Sequence, residues 1–132
     1  MELTIDTSVI IAVIVNEPQR DTLIALTKGA DLLAPPSVHW EVANAFSAML
    51  KRNRITLAQA LHATRLYRQI PIRFADVEFK DTLLIAAQFD IYAYDAYLIR
   101  CALKYNAPLI SLDKSLLQAA QRAGSRIIEV GP

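Results

Sequence analysis

Cysteine is almost absent from this chain. Cys101 is the one thiol in 132 residues, so no internal disulfide can staple the fold. It sits in the run Tyr97-Leu98-Ile99-Arg100-Cys101-Ala102-Leu103, where a buried, inert thiol is the expected state and a reducing compartment fits. Glycine is nearly as scarce. Its three copies fall late in or after helices or near the C-terminus, which leaves no glycine loop to cradle a phosphate. His39 and His62 lack a matching ligand, so a metal held by imidazole or thiolate is not expected. Charge of one sign is also missing: the formal net charge is +1, so any nucleic-acid contact must use local patches rather than a global basic field. The apolar run Val9 to Val15 falls far short of the roughly 20 residues that span a bilayer. The N-terminus carries Glu2 and no basic region of the kind that opens a secretory leader. No membrane association is expected, and the location inferred is cytoplasmic.

What the chain has is apolar side chains, at 54% of residues with a mean hydropathy of +0.27. Such a composition buries a proper core in one domain, residues 1–132, and leaves apolar surface for a dimer partner or a bound peptide. Strands and helices alternate along it. The first strand is expected over Glu2 to Asp6, followed by a short apolar helix. Asn16-Glu17-Pro18-Gln19 reads as the start of a second helix, with Asn16 as cap, Pro18 in the first turn and Gln19 reaching back, running to about Lys28 before Gly29. Asp31 to Ala34 is the second strand, and Ser37 caps a helix to about Arg52. Thr56-Leu57-Ala58-Gln59 is a capping box for a helix to about Arg68. Pro71 to Phe74 reads as a third strand, followed by helices from Val77 to Phe89 and Asp95 to Tyr105. A fourth strand over Pro108 to Ser111, a helix from Lys114 to Ala123 and a fifth strand over Arg126 to Val130 complete the chain. The alternation predicts an α/β, Rossmann-like sandwich: a parallel sheet with helices on both faces.

In such sheets functional groups collect where strands deliver their C-terminal ends. Asp6 ends the first strand, and Asp113 lies two residues beyond the fourth. Glu41 falls in the first turns of the helix leaving the second strand. Asp95 opens a helix that runs antiparallel to the fourth strand, so its start returns to the same rim. Four carboxylates are thus expected at one edge. Charges of one sign about 4 Å apart repel by several kcal/mol at an intermediate dielectric, so protons or a cation must settle them. Oxygen-only ligands favour a hard ion, Mg²⁺ or Mn²⁺, and carboxylate-held Mg²⁺ on an open surface serves phosphoryl transfer. Each aspartate also has a plainer explanation as a helix cap. Glu41 comes one residue too late for a capping box with Ser37.

Asp6-Thr7-Ser8-Val9, Glu41-Val42-Ala43-Asn44-Ala45, Tyr94-Asp95-Ala96-Tyr97 and Leu109-Ile110-Ser111-Leu112-Asp113 resemble, in order and spacing, the PIN domain. In length the chain is similar to the VapC-type toxin half of a type II toxin–antitoxin pair. The resemblance covers essentially the whole chain. It implies a Rossmann-like fold with a five-stranded parallel sheet in the order 3-2-1-4-5. It also implies a Mg²⁺- or Mn²⁺-dependent endoribonuclease, dimeric and inhibited by an antitoxin. By resemblance the acidic metal-binding and catalytic set falls on Asp6, Glu41, Asp95 and Asp113, and the accompanying substrate-binding hydroxyls on Thr7 and Ser111.

Two other readings compete. A phosphoacceptor signalling module would want paired acids after strand one, an acceptor after strand three, where only Asp76 stands, and a lysine after strand five. A non-catalytic module would dock a partner through its apolar surface and bind no metal. Lys51-Arg52-Asn53-Arg54, extended by Arg65, Arg68 and Arg73, could position an RNA backbone, although cations at a helix end also meet the helix dipole. Trp40, Phe46 and Met49 read as core or interface, and Asp76, Glu78, Asp81 and Asp90 as caps or solvated positions.

Overall fold

Five short strands, β1 (Glu2–Ile5), β2 (Asp31–Ala34), β3 (Ile72–Phe74), β4 (Leu109–Ser111) and β5 (Ile127–Glu129), pair in parallel in the order β3-β2-β1-β4-β5. The computed structural model describes residues 1–131, so Pro132, the last residue of the expected domain, lies outside the described residues. The inner strands read as continuous apolar runs because both faces are covered. Leu3, Thr4 and Ile5 in β1 and Leu109, Ile110 and Ser111 in β4 are all buried. The Thr4 hydroxyl, fully enclosed, donates to the Ala107 carbonyl at 3.0 Å, which removes the cost of burying it. The observed order is the expected one, and it differs from the 2-1-3-4-5 order of flavodoxin-like domains.

Seven helices fill the crossovers among the described residues: α1 (Thr7–Ile14), α2 (Arg20–Thr27), α3 (Ser37–Lys51), α4 (Leu57–Arg68), α5 (Phe79–Phe89), α6 (Ala93–Lys104) and α7 (Lys114–Arg122). Helix α1 packs against α2, α3 and α4, while α6 lies on β1, β2 and β4 with α5 outside it. A large core links Val9, Ile10, Val38, Val42 and Phe46 to the sheet, and a smaller one gathers Leu33, Cys101 and Ala107. Cys101 is fully enclosed, and burial pushes its thiol up to about 11, as expected of an inert side chain.

The scarcity of glycine has a structural counterpart. Left-handed backbone occurs at Asn16, Asn53, Asp90 and Asn106 as well as at Gly29 and Gly124, each just past a helix. Asparagine and aspartate tolerate that conformation best among residues with a side chain. Asn16, with φ of 58°, therefore ends α1 instead of capping α2. The second helix starts later, at Arg20, with Pro18 in the preceding turn and no side-chain cap from Gln19. Ser37 is likewise inside α3 and not its cap. Pro36 already has helical φ and ψ, so the helix begins one residue early and the Ser37 hydroxyl is buried without a partner. The Thr56 capping box forms as expected, with bonds of 2.9 and 3.1 Å. Remaining differences are shifts of one or two residues: α5 starts at Phe79, and α6 starts at Ala93, before Asp95.

Candidate active site at the strand ends

Register brings the first contact about. Thr4 pairs with Leu109 and Ile5 with Ile110, so the next residues along each strand, Asp6 and Ser111, emerge side by side at the C-terminal rim. The Ser111 hydroxyl donates to Asp6 Oδ2, and the Ser8 hydroxyl donates to Asp6 Oδ1 at 2.6 Å. Both serines are themselves held, because Leu112 N–H donates to Ser8 Oγ at 3.1 Å and Asp113 N–H to Ser111 Oγ at 2.9 Å. Asp6 also caps α1 through the Ser8 N–H. The plainer explanation of Asp6 is thus true, and it does not exhaust the residue. A cap is normally wet, whereas Asp6 is only 5% exposed.

Glu41 leans on the neighbouring element. Thr7 Oγ1, at the start of α1, donates to Glu41 Oε2 at 3.2 Å, which ties the first turns of α3 to the end of β1. Asp113 caps α7 through Oδ1, accepting from Ser115 N–H at 3.0 Å, Ser115 Oγ at 2.7 Å and Leu116 N–H at 3.2 Å. Asp95, half-buried in the first turn of α6, accepts no protein hydrogen bond and caps nothing among the described residues.

The electrostatics tie the four together. Burial raises the pKa of Asp6 most of all, against the lowering hydrogen bonds from Ser111 and Ser8. Burial also raises Glu41, and the charges of Asp6 and Asp95 raise it further despite the Thr7 bond. Asp95 is raised by burial, then by Asp113 and Asp6. No Lys or Arg pairs with any of the four among the described residues; the ion pairs all lie elsewhere. The donor set is all oxygen, carries uncompensated negative charge and includes the unpartnered Asp95 carboxylate, which fits a hard divalent cation. In their present rotamers no three His, Cys, Asp or Glu side chains are grouped tightly enough to hold one ion among the described residues. Asp6 spends both oxygens on serine hydroxyls and Asp113 one oxygen on its cap.

Thr7 and Ser111 both stand at the rim, each bonded to an acid. The residue missed is Ser8, and a signal for it was present. Asp6-Thr7-Ser8 and Asp113-Lys114-Ser115 are the same Asp-x-Ser unit, each aspartate accepting from the serine two residues on. Of the basic cluster, Lys51, Arg52, Arg54, Arg65 and Arg68 form no ion pair among the described residues, whereas Arg73 is committed to Glu2 at 2.8 Å. Phe46 is core, but Trp40 is 69% exposed and is not. Glu78 and Asp81 are not merely solvated, since both face Arg100.

The family model described as PIN domain matches residues 3–122. Among solved structures, PAE2754 from Pyrobaculum aerophilum aligns with a TM-score of 0.75 at 20% identity, covering 98% of this chain and 92% of that one. VapBC2 from Rickettsia felis, bound to a DNA fragment from its promoter, aligns with a TM-score of 0.69 at 13% identity, covering 99% and 100%. A domain of a functionally unknown protein from Methanocaldococcus jannaschii aligns at 0.58 and 16% identity, covering 99% and 91%. At such identities these likenesses speak to the fold alone. No curated protein matches the chain.

Proposed function

The chain belongs to the PIN domain family, whose members are generally nucleases, and from that premise we propose that it is a divalent-metal-dependent endoribonuclease acting as the toxin of a toxin–antitoxin pair. The observation that carries this reading is the rim itself: Asp6, Glu41 and Asp95 all have raised pKa values, lie within each other's field and have no cationic partner among the described residues. A fold that spends stability on such a cluster gains something from it at neutral pH. Mg²⁺ or Mn²⁺, held by Asp6, Glu41, Asp95 and Asp113, would supply an activated water and would stabilise the charge developing on the phosphodiester.

The chain's own groups have defined tasks in this scheme. Ser8 and Ser111 fix the Asp6 carboxylate from both sides, so its oxygens face the rim in one orientation. Thr7 holds Glu41 toward Asp6. Asp95, free of internal bonds, is the acid most able to turn toward an ion or a substrate proton. Lys51, Arg52 and Arg54 at the end of α3, unpaired among the described residues, would attract the RNA backbone without reading sequence.

The partners follow the same reading. An antitoxin protein is proposed because the chain resembles a VapC-type toxin in length and motif order and shares its fold with the VapBC2 structure from Rickettsia felis. A homodimer is proposed because Phe79, Leu83, Leu84 and Tyr92 expose half or more of their surface. Neither calls for a membrane, since no helix among the described residues is long and apolar enough to cross one, and the cytoplasm is the proposed location. The deciding experiment is cleavage of single-stranded RNA with Mn²⁺ by the native chain and by Asp6→Asn and Asp95→Asn. Loss of cleavage with an unchanged circular dichroism spectrum is expected, and undiminished cleavage by both variants would refute the scheme.

A further inference from the structure

A cavity of about 530 Å³ opens between the start of α3, the last turn of α4 and the end of β3. Its wall is aromatic. The His39 ring lies 4.8 Å from Trp40, 5.7 Å from Tyr67 and 5.7 Å from Phe74, centroid to centroid, and His39 Nδ1 is hydrogen-bonded to the Tyr67 hydroxyl at 2.9 Å. Arg68 also lines it and is free of ion pairs among the described residues, as is Arg65 one turn earlier. These rings are not needed to hold α3 down, a task performed by Val38, Val42 and Phe46. Trp40 and Phe74 nonetheless stand 69% and 40% exposed, each meeting His39 edge-on while leaving much of its ring to solvent.

Place gives the cluster a meaning. Phe74 pairs with Ala34 at the C-terminal ends of β3 and β2, on the rim that carries the acids. His39 and Trp40 directly precede Glu41, and at 100° per residue the cavity-facing His39 and Ala43 fall on the side of α3 opposite Glu41. A helix is about 10–12 Å across with its side chains, so the aromatic wall and the acids are separated by a span that a short stretch of single-stranded nucleic acid bridges.

We propose that this cavity binds an unpaired base of the nucleic-acid strand whose phosphodiester lies at the acids, with Trp40 and Phe74 stacking on the base and Arg68 meeting its phosphate. The inference rests on the nuclease reading for its purpose, but not for its evidence. Aromatic faces beside a guanidinium with no ion-pair partner among the described residues are what an unstacked base and its phosphate require. His39 and Tyr67 satisfy each other through Nδ1 and the hydroxyl, which leaves the second His39 ring nitrogen to meet a base edge.

Trp40 is the only tryptophan in the chain, so its emission reports this cavity alone. The test is a fluorescence titration of the full chain in EDTA, where no cleavage occurs, with a single-stranded oligouridylate and with an RNA duplex of equal length. Saturable quenching by the single strand is expected, with affinity weakened about tenfold or more in Phe74→Ala and in Arg68→Ala at unchanged circular dichroism. Quenching undiminished in both variants, or equal for duplex and single strand, overturns the proposal. An emission change that follows protein concentration without any nucleic acid also overturns it, marking the cavity as a face between copies. Quenching with no cleavage when Mn²⁺ is restored supports the base site while refuting the nuclease reading. Cleavage without quenching does the reverse.

Discussion

Glu41 and Glu78 are both glutamates near the start of a helix, and their surroundings drive them in opposite directions. Glu78 precedes α5 and accepts from Lys104 and from Arg100, the latter at 2.9 Å, and these hydrogen bonds hold its carboxyl at about 2. Lys104 is raised in return, chiefly by the same bond. Glu41 meets burial and two further acids, and its pKa goes up. One carboxylate is neutralised by cations that clamp α5 to α6. The other stands in a cluster of like charge with no cationic partner among the described residues. Charge that the fold settles internally serves architecture, and charge it leaves unsettled is available to something from outside.

The sharpest way to break this comparison is to remove charge from the rim. Asp95→Asn is expected to lower Mn²⁺-dependent RNA cleavage on the order of 100-fold or more, measured as initial rates under substrate excess. Asp95 accepts no internal bond among the described residues, so its fold should survive. Cleavage within a fewfold of native would make Asp95 an ordinary surface acid and leave the two regions alike.

A thermal measurement sharpens it without any substrate. Because Asp6, Glu41 and Asp95 have folded pKa values above their ordinary ones, the native state keeps protons that the unfolded chain has released. Their contribution to stability is therefore present at acid pH and is lost as pH rises through the raised values. The native chain without metal should melt lower at pH 7 than at a pH just above the ordinary carboxylate range. Mn²⁺ at about a hundred times its Kd should restore about 2.7 kcal/mol at pH 7, seen as a rise in Tm. Asp6→Asn should melt higher than native in EDTA and show little Mn²⁺ response, since asparagine still caps a helix. A Tm indifferent to Mn²⁺ in the native chain would count against the rim as an ion site.

Ser111→Ala tests the support rather than the charge. It leaves Asp6 Oδ2, inside a residue 5% exposed, without its donor. A loss of about 1–3 kcal/mol is expected by chemical denaturation, and the pH at which stability declines should move upward because a bond favouring the ionised form has gone. Ser111→Thr keeps the hydroxyl and should recover most of the effect.

Much of this was legible in the chain. The mostly apolar runs Leu3 to Ile5 and Leu109 to Ser111 read as strands of a parallel sheet, their inner place came from the family resemblance, and a carboxylate after each marked the rim. Less legible were helix starts that depend on one backbone dihedral. Asn16 is an equally good cap and left-handed terminator by residue type, and only the three-dimensional end of α1 decides between them. Ser37 failed as a cap because Pro36 had already turned helical, which sequence alone leaves open. The pairing of Thr7 with Glu41 needed the packing of α1 on α3, and the exposure of Trp40 needed the position of β3. An apolar residue at helical spacing does not reveal which side of its helix the rest of the fold will cover.

The smallest effect belongs to the clamp. Glu78 stays substantially exposed in its ion pairs, at 42% of its side chain, so water and salt screen it and Glu78→Gln should change the global Tm little. Its consequence should be local. Helix α5 buries only Thr82 and packs mainly on α6, so amide hydrogen exchange across Phe79–Phe89 should quicken while the β1 and β4 amides keep their protection. The pH dependence has the sign opposite to that of the rim. With a folded pKa lowered to about 2, Glu78 contributes stability above the ordinary carboxylate range and loses it as pH falls through about 2. The exchange difference between native and Glu78→Gln should shrink at about 1 M salt, where the Debye length is about 3 Å, while the Tm difference between native and Asp6→Asn, set by burial, should persist. Equal salt sensitivity at the two sites would mean that both are surface charges and that the contrast between them is only one of neighbours.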